Sequence, residues 1–87
     1  MKRAFVHCKV RPGMFENEYL VTVDQSSALV SSGNVNVPAS VTMQGVDGNV
    51  RVYVVEESGD QALVELPGEA VMGGRRTWVS TASFAKG

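Results

Sequence analysis

The chain of 87 residues contains one cysteine and one histidine. A single cysteine makes no internal disulfide, so nothing in the fold calls for an oxidising compartment. His7 and Cys8 are the soft metal ligands, and as neighbours on a strand they point to opposite faces. A structural zinc site needs four ligands, so no metal is expected. Nucleophilic catalysis needs a nucleophile beside a base, and His7 is the one imidazole on offer. The serines and threonines fall in turns, without a G-x-S-x-G elbow. The acidic pairs Glu16/Glu18 and Glu56/Glu57 read as solubilising edge charges. Neither catalytic residues nor cofactors are therefore expected. An active site assembled from several copies is the remaining enzymatic alternative.

Long apolar runs are missing too. None approaches the roughly 20 residues of a membrane span. The opening MKRAFVHCKV starts positive, but His7 and Lys9 interrupt its apolar run too early for a signal peptide. His7 also stands where a lipoprotein cysteine would be preceded by a small residue. The expectation is a soluble, cytoplasmic protein with no membrane partner. An excess of one charge is absent as well, the net charge being −1 with 20% charged residues. That balance gives no overall electrostatic footprint for nucleic acid. Gly73-Gly74-Arg75-Arg76 could meet an anion through an arginine fork, but it lacks the length and lysine of a P-loop. On a strand, Arg75 and Arg76 would point apart.

What the chain has is valine and a period of two. Hydrophobic residues make up 44%. A single domain over residues 1–87 buries about 60–65% of its unfolded surface, enough for a modest core. Ala4, Val6, Cys8 and Val10 alternate with Phe5, His7 and Lys9, which predicts a strand that Arg11-Pro12-Gly13 ends. EYLVTV at 18–23 predicts a second, with Tyr19, Val21 and Val23 on one face. Asp24 to Ser27 carry turn chemistry. Ala28-Leu29-Val30 fits a short strand or a helical turn equally. Val35, Val37, Val41 and Met43, spaced around Pro38, suggest an edge segment.

Residues 45–49 read as a turn into a hairpin of 49–57 and 61–67. A three-residue loop pairing Glu57 with Gln61 places Val50, Val52 and Val54 beside Ala62, Val64 and Leu66. The opposite face then holds Arg51, Tyr53, Val55, Glu57, Gln61, Leu63 and Glu65. Residues 67–74 read as a loop whose Ala70, Val71 and Met72 fold back onto the barrel. Residues 75–80 form the last long strand. No internal repeat is evident, and no stretch keeps a helical period. The fold class is all-β: a small barrel or compact sandwich of 5–7 short antiparallel strands, with little or no α-helix.

Over roughly residues 49–87 the order is long hairpin, glycine-rich loop, aromatic strand, polar turn and terminal hydrophobe. This resembles the C-terminal half of an SH3-like β-barrel. Arg76-Thr77-Trp78-Val79 would be the penultimate strand, Ser80 to Ser83 its 3-10 turn, and Phe84 the apolar plug. Ser80 and Ser83 stand where peptide-binding SH3 domains carry proline and tyrosine, and their acidic-aromatic opening motif is absent. The resemblance thus implies a barrel but not recognition of proline-rich peptides.

The candidate site follows from parity. If Val79 faces inward, Trp78 faces outward with Arg76, near Tyr53 and Leu63. Exposed aromatic-aliphatic patches mark interaction sites, and Trp is enriched at hot spots. The alternative role for Trp78 is to cap the barrel end. Tyr53, Leu63, Arg76 and Trp78 are accordingly the expected binding residues of a non-enzymatic module. Its partner would be another protein or a second copy of itself. The alternative is a nucleic-acid-binding barrel, which needs Lys2, Arg3, Lys9, Arg11, Arg51, Arg75 and Arg76 to converge on one face.

Overall fold

A computed structural model describes residues 2–37 and 40–85. Pro38 lies outside the described residues. The strands are β1 (Lys2–Pro12), β2 (Glu18–Val23), β3 (Ser26–Ser31), β4 (Val35–Asn36), β5 (Val46–Ser58), β6 (Gln61–Glu65), β7 (Glu69–Met72) and β8 (Arg76–Ser80). Two 3-10 turns, Ser32–Asn34 and Thr81–Ser83, interrupt them, and no α-helix occurs among the described residues. All pairing is antiparallel, in the order β7-β3-β2-β1-β5-β6-β8, with β4 also on β5. The sheet curls into a half-barrel.

Alternation fills the inside of the curl. Val6, Cys8 and Val10 of β1, Val21 and Val23 of β2, and Val50, Val52 and Val54 of β5 are buried. So are Ala28, Val30, Val35, Ala62, Val64, Leu66 and Val79. β-branched side chains suit this pleated inner surface, and each fully buried valine contributes about 1.5–3 kcal/mol. Residues 28–30 are thus strand, and Tyr19 packs against the core beside Val21 and Val23.

Several expectations need correction. The β5–β6 loop has two residues, Gly59-Asp60, because Ser58 pairs with Gln61. Gly59 takes φ +62°, which suits the first central position of a tight hairpin turn. The expected faces survive because Val55 is a bulge that restores parity, so Val54 still meets Val64. Val55 itself is half-buried.

Second, Val46 to Asn49 are strand, not turn, because the long β1 supplies Val10, Lys9, Cys8 and His7 as their partners. Third, 69–72 is a strand on the edge of β3, and its side chains are exposed rather than folded onto the core. Gly68, at φ +80°, makes that docking possible: a Cβ there would lie 2.1 Å from the Leu29 carbonyl oxygen. With β7 and the two-residue β4, the strands among the described residues number eight. Only Val35 and Asn36 of the expected edge segment are strand, while Val41 and Met43 fall outside any.

The topology also repeats. β1-β2-β3 and β5-β6-β8 each end in a buried valine, a serine, a 3-10 turn and a hydrophobe: Val30-Ser31-(32–34)-Val35 and Val79-Ser80-(81–83)-Phe84. Ser32 N–H donates to the Asn17 carbonyl at 2.8 Å and Thr81 N–H to that of Asp60 at 2.9 Å. Each acceptor immediately precedes the second strand of its half. Each tail then crosses to the other half, Val35 pairing with Val50 and Phe84 bridging to Val6, while Val6 and Val50 pair with each other. These crossings tie the two halves together. What repeats is backbone geometry and inward-outward pattern, not side-chain identity, which is why no repeat is evident in the sequence.

Candidate functional site

The outer surface of β5, β6 and β8 collects the four expected residues. Tyr53 pairs with Glu65, and Glu65 with Arg76, forming one row across three strands. Two positions along, Leu63 pairs with Trp78. Val79 is buried, so alternation turns Trp78 outward, where it is 40% exposed; Tyr53 is 37% exposed. Trp78 therefore lies on the surface rather than in the core. Leu63 is half-buried between the strands, and Arg76 is exposed.

Glu65 anchors the charged row. Arg76 Nε donates to its Oε1 at 3.0 Å, and Arg75 Nη2 stands 3.8 Å from its Oε2. Arg75 and Arg76 do not point apart, contrary to the strand-parity expectation. Arg75 sits just before β8, and its Nε also donates to the Leu66 carbonyl. The result is an aromatic-aliphatic patch beside a cluster of two arginines on one carboxylate. An open cleft of about 440 Å³ runs along β8, lined by Asp24, Gln25, Ser26, Gly73, Arg76, Thr77 and Trp78.

The basic residues of the nucleic-acid alternative are mostly engaged. Lys2 approaches Glu57 at 3.8 Å, Lys9 approaches Asp47 at 3.1 Å, and Arg75 and Arg76 meet Glu65. Arg51 lies over the Phe5 ring at 5.5 Å. Cations held by carboxylates are less free to meet phosphate.

His7 and Cys8 face opposite ways, as strand geometry demands: His7 is exposed and Cys8 buried. Burial, with a smaller contribution from the Asp47 charge, pushes the Cys8 thiol up to about 12. A thiol held neutral is a poor nucleophile. The native protein should therefore resist a thiol reagent at pH 8 on a timescale that labels the unfolded chain fully. Rapid native labelling would contradict this burial. Because the folded value lies above the unfolded one, the thiol binds its proton more tightly in the native state. Its contribution to stability is complete below pH 9 and declines as pH rises toward 12. Asp47 is exposed and titrates below the usual carboxylate range, chiefly through its hydrogen bond from Lys9. Among the described residues, no group of three His, Cys, Asp or Glu side chains could hold a metal ion.

Sequence reasoning missed other exposed hydrophobes. Met14 and Phe15, in the β1–β2 loop, are 76% and 73% exposed. Their signal was position: they follow Gly13, beyond the alternating stretch that would have buried them. No described helix is long and apolar enough to cross a membrane. Comparison of the chain with protein-family models, curated proteins and solved structures finds no match.

Proposed function

We propose that this chain is a non-enzymatic binding module of SH3-like type that makes protein–protein contacts, including contacts with its own copies, through the outer face of β5, β6 and β8. The carrying observation is that Tyr53, Leu63 and Trp78 share that face, with both aromatic residues more than a third exposed. Large rigid aromatics beside an arginine have the composition of an interface centre. The SH3-like assignment draws support from the end of the chain. There β8 runs into the 81–83 turn and Phe84 returns to β1, Ala85 N–H donating to the Phe5 carbonyl at 2.8 Å. The non-enzymatic assignment draws on a buried, proton-bound Cys8 facing away from the one imidazole.

Trp78→Ala tests the face. Its truncation leaves Val79 and the inner core in place, so the fold should persist. Sedimentation velocity at tens of micromolar should show the wild type associating and Trp78→Ala shifted to the monomer. Two monomers would remove self-association from this function, and an unaltered oligomer would remove Trp78 from the contact.

A further inference from the structure

Backbone parity along β8 carries an inference that rests on the binding function above and specifies its geometry. In an antiparallel pair, residues alternate between turning their N–H and C=O toward the partner strand and away from it. Leu66 N–H donates to the Arg75 carbonyl at 2.7 Å, and Thr81 N–H to that of Asp60 at 2.9 Å. Those bonds fix the parity at both ends of β8: Arg75, Thr77, Val79 and Thr81 turn toward β6. Arg76, Trp78 and Ser80 therefore turn their backbone groups to the other side, where no strand pairs among the described residues.

Sheet edges are ordinarily blunted by charge, proline, bulges or cover. The other terminal strand of the sheet, β7, has such protection: its pairing with β3 is irregular, and it lies between Pro67-Gly68 and Gly73-Gly74. β8 has little. Its register on β6 is regular, its one charge, Arg76, is held by Glu65, Thr77 to Ser83 contain neither charge nor proline, and the cleft beside it separates it from the 24–26 turn.

We infer that β8 is the pairing edge of a two-fold dimer, its occupant being β8 of a second copy. The strand is self-complementary. An antiparallel register centred on Trp78 sets Arg76 against Ser80 of the partner subunit, Trp78 against its own equivalent, and Ser80 against Arg76 of the partner subunit. Each outward-turned residue then meets an outward-turned residue, as a hydrogen-bonded pair requires. Shifting the register to set the two Arg76 residues opposite each other would leave the Trp78 backbone groups unmatched and oppose like charges. In the centred register both Trp78 side chains lie on one outer surface, flanked by Leu63 and Tyr53 of each copy. The sheet then continues across the dimer, and the exposed aromatic patches join into one.

Ser80 supplies the test. Its φ of −70° already suits proline, so Ser80→Pro removes the outward N–H without forcing the backbone. It also removes the Ser80 Oγ that accepts from Ala82 N–H at 3.2 Å, which Ser80→Ala removes alone. Sedimentation should show the wild type and Ser80→Ala dimerising alike. Ser80→Pro, losing one bond on each side of the two-fold, should dimerise at least about tenfold more weakly. Mixing Arg76→Cys with Ser80→Cys under mild oxidation should give a mixed disulfide in excess of either homodimer; the buried Cys8 does not compete. A Ser80→Pro protein that dimerises like the wild type, or the absence of that mixed excess, overturns edge pairing. If Trp78→Ala is nevertheless monomeric, the outer face is still the contact and only its strand-to-strand geometry is wrong. A monomeric wild type overturns edge pairing and self-association together.

Discussion

Leu66→Ala is expected to lower the unfolding free energy by about 2–5 kcal/mol. Leu66 is the largest fully buried side chain in a core otherwise built mainly of valine, alanine and Cys8. It stands just past β6, where the chain leaves the second half to cross to the edge of β3. Small, χ1-restricted neighbours move little, so the space left by the leucine stays open. The backbone bond from Leu66 N–H to the Arg75 carbonyl is independent of the side chain, so the substitution isolates packing. Urea unfolding should show a lower midpoint with an unchanged slope. A loss below about 1 kcal/mol would mean that the core collapses onto the gap, contrary to its close packing.

Gly48→Val should be comparably damaging for the opposite reason. Gly48 is buried in β5 and paired with Cys8. A Cβ there would lie 2.7 Å from the Asn36 carbonyl oxygen, 3.0 Å from Val37 Cγ1 and 3.1 Å from Val10 Cγ2. The nearest obstacle is backbone, which cannot rotate away, and a branched side chain adds further atoms to the overlap. Overpacking of this kind costs about 1–3 kcal/mol or more. The easiest relief is for β4 to leave β5, because only Val35 and Asn36 hold it there. Thermal melting should fall by roughly 4–8 °C for each kcal/mol lost. Amide exchange should accelerate first around residues 35–37. An unchanged melting temperature would contradict the close approach of β4 to β5.

Much of this architecture is legible because burial on one face writes itself into every second residue. β1 and β2 follow directly, and so do the two faces of the β5–β6 hairpin. The loop length was misread because face parity alone cannot separate a three-residue loop from a two-residue loop plus a bulge at Val55. Val46 to Asn49 carry turn chemistry, and tertiary pairing with β1 overrode it. β7 was illegible as a strand: its four side chains are exposed, so no alternation records it, and its partner β3 lies some forty residues earlier. Ala28-Leu29-Val30 is too short for a period to declare itself.

The candidate face was legible to the same depth. Buried Val79 turns Trp78 outward, and the hairpin register turns Tyr53 and Leu63 with it. Neighbour relations were not legible. Nothing local says that Arg75 and Arg76 share Glu65, or that β8 is the last of the described strands in its sheet.

Trp78 is the chain's only tryptophan, so its fluorescence reports on the proposed contact without any label. Emission and acrylamide quenching should be followed from nanomolar to tens of micromolar protein. Association through the outer face predicts a shift to shorter wavelength and a falling quenching constant as concentration rises. Emission and quenching that stay constant over that range, matching those of a lone subunit, would contradict it.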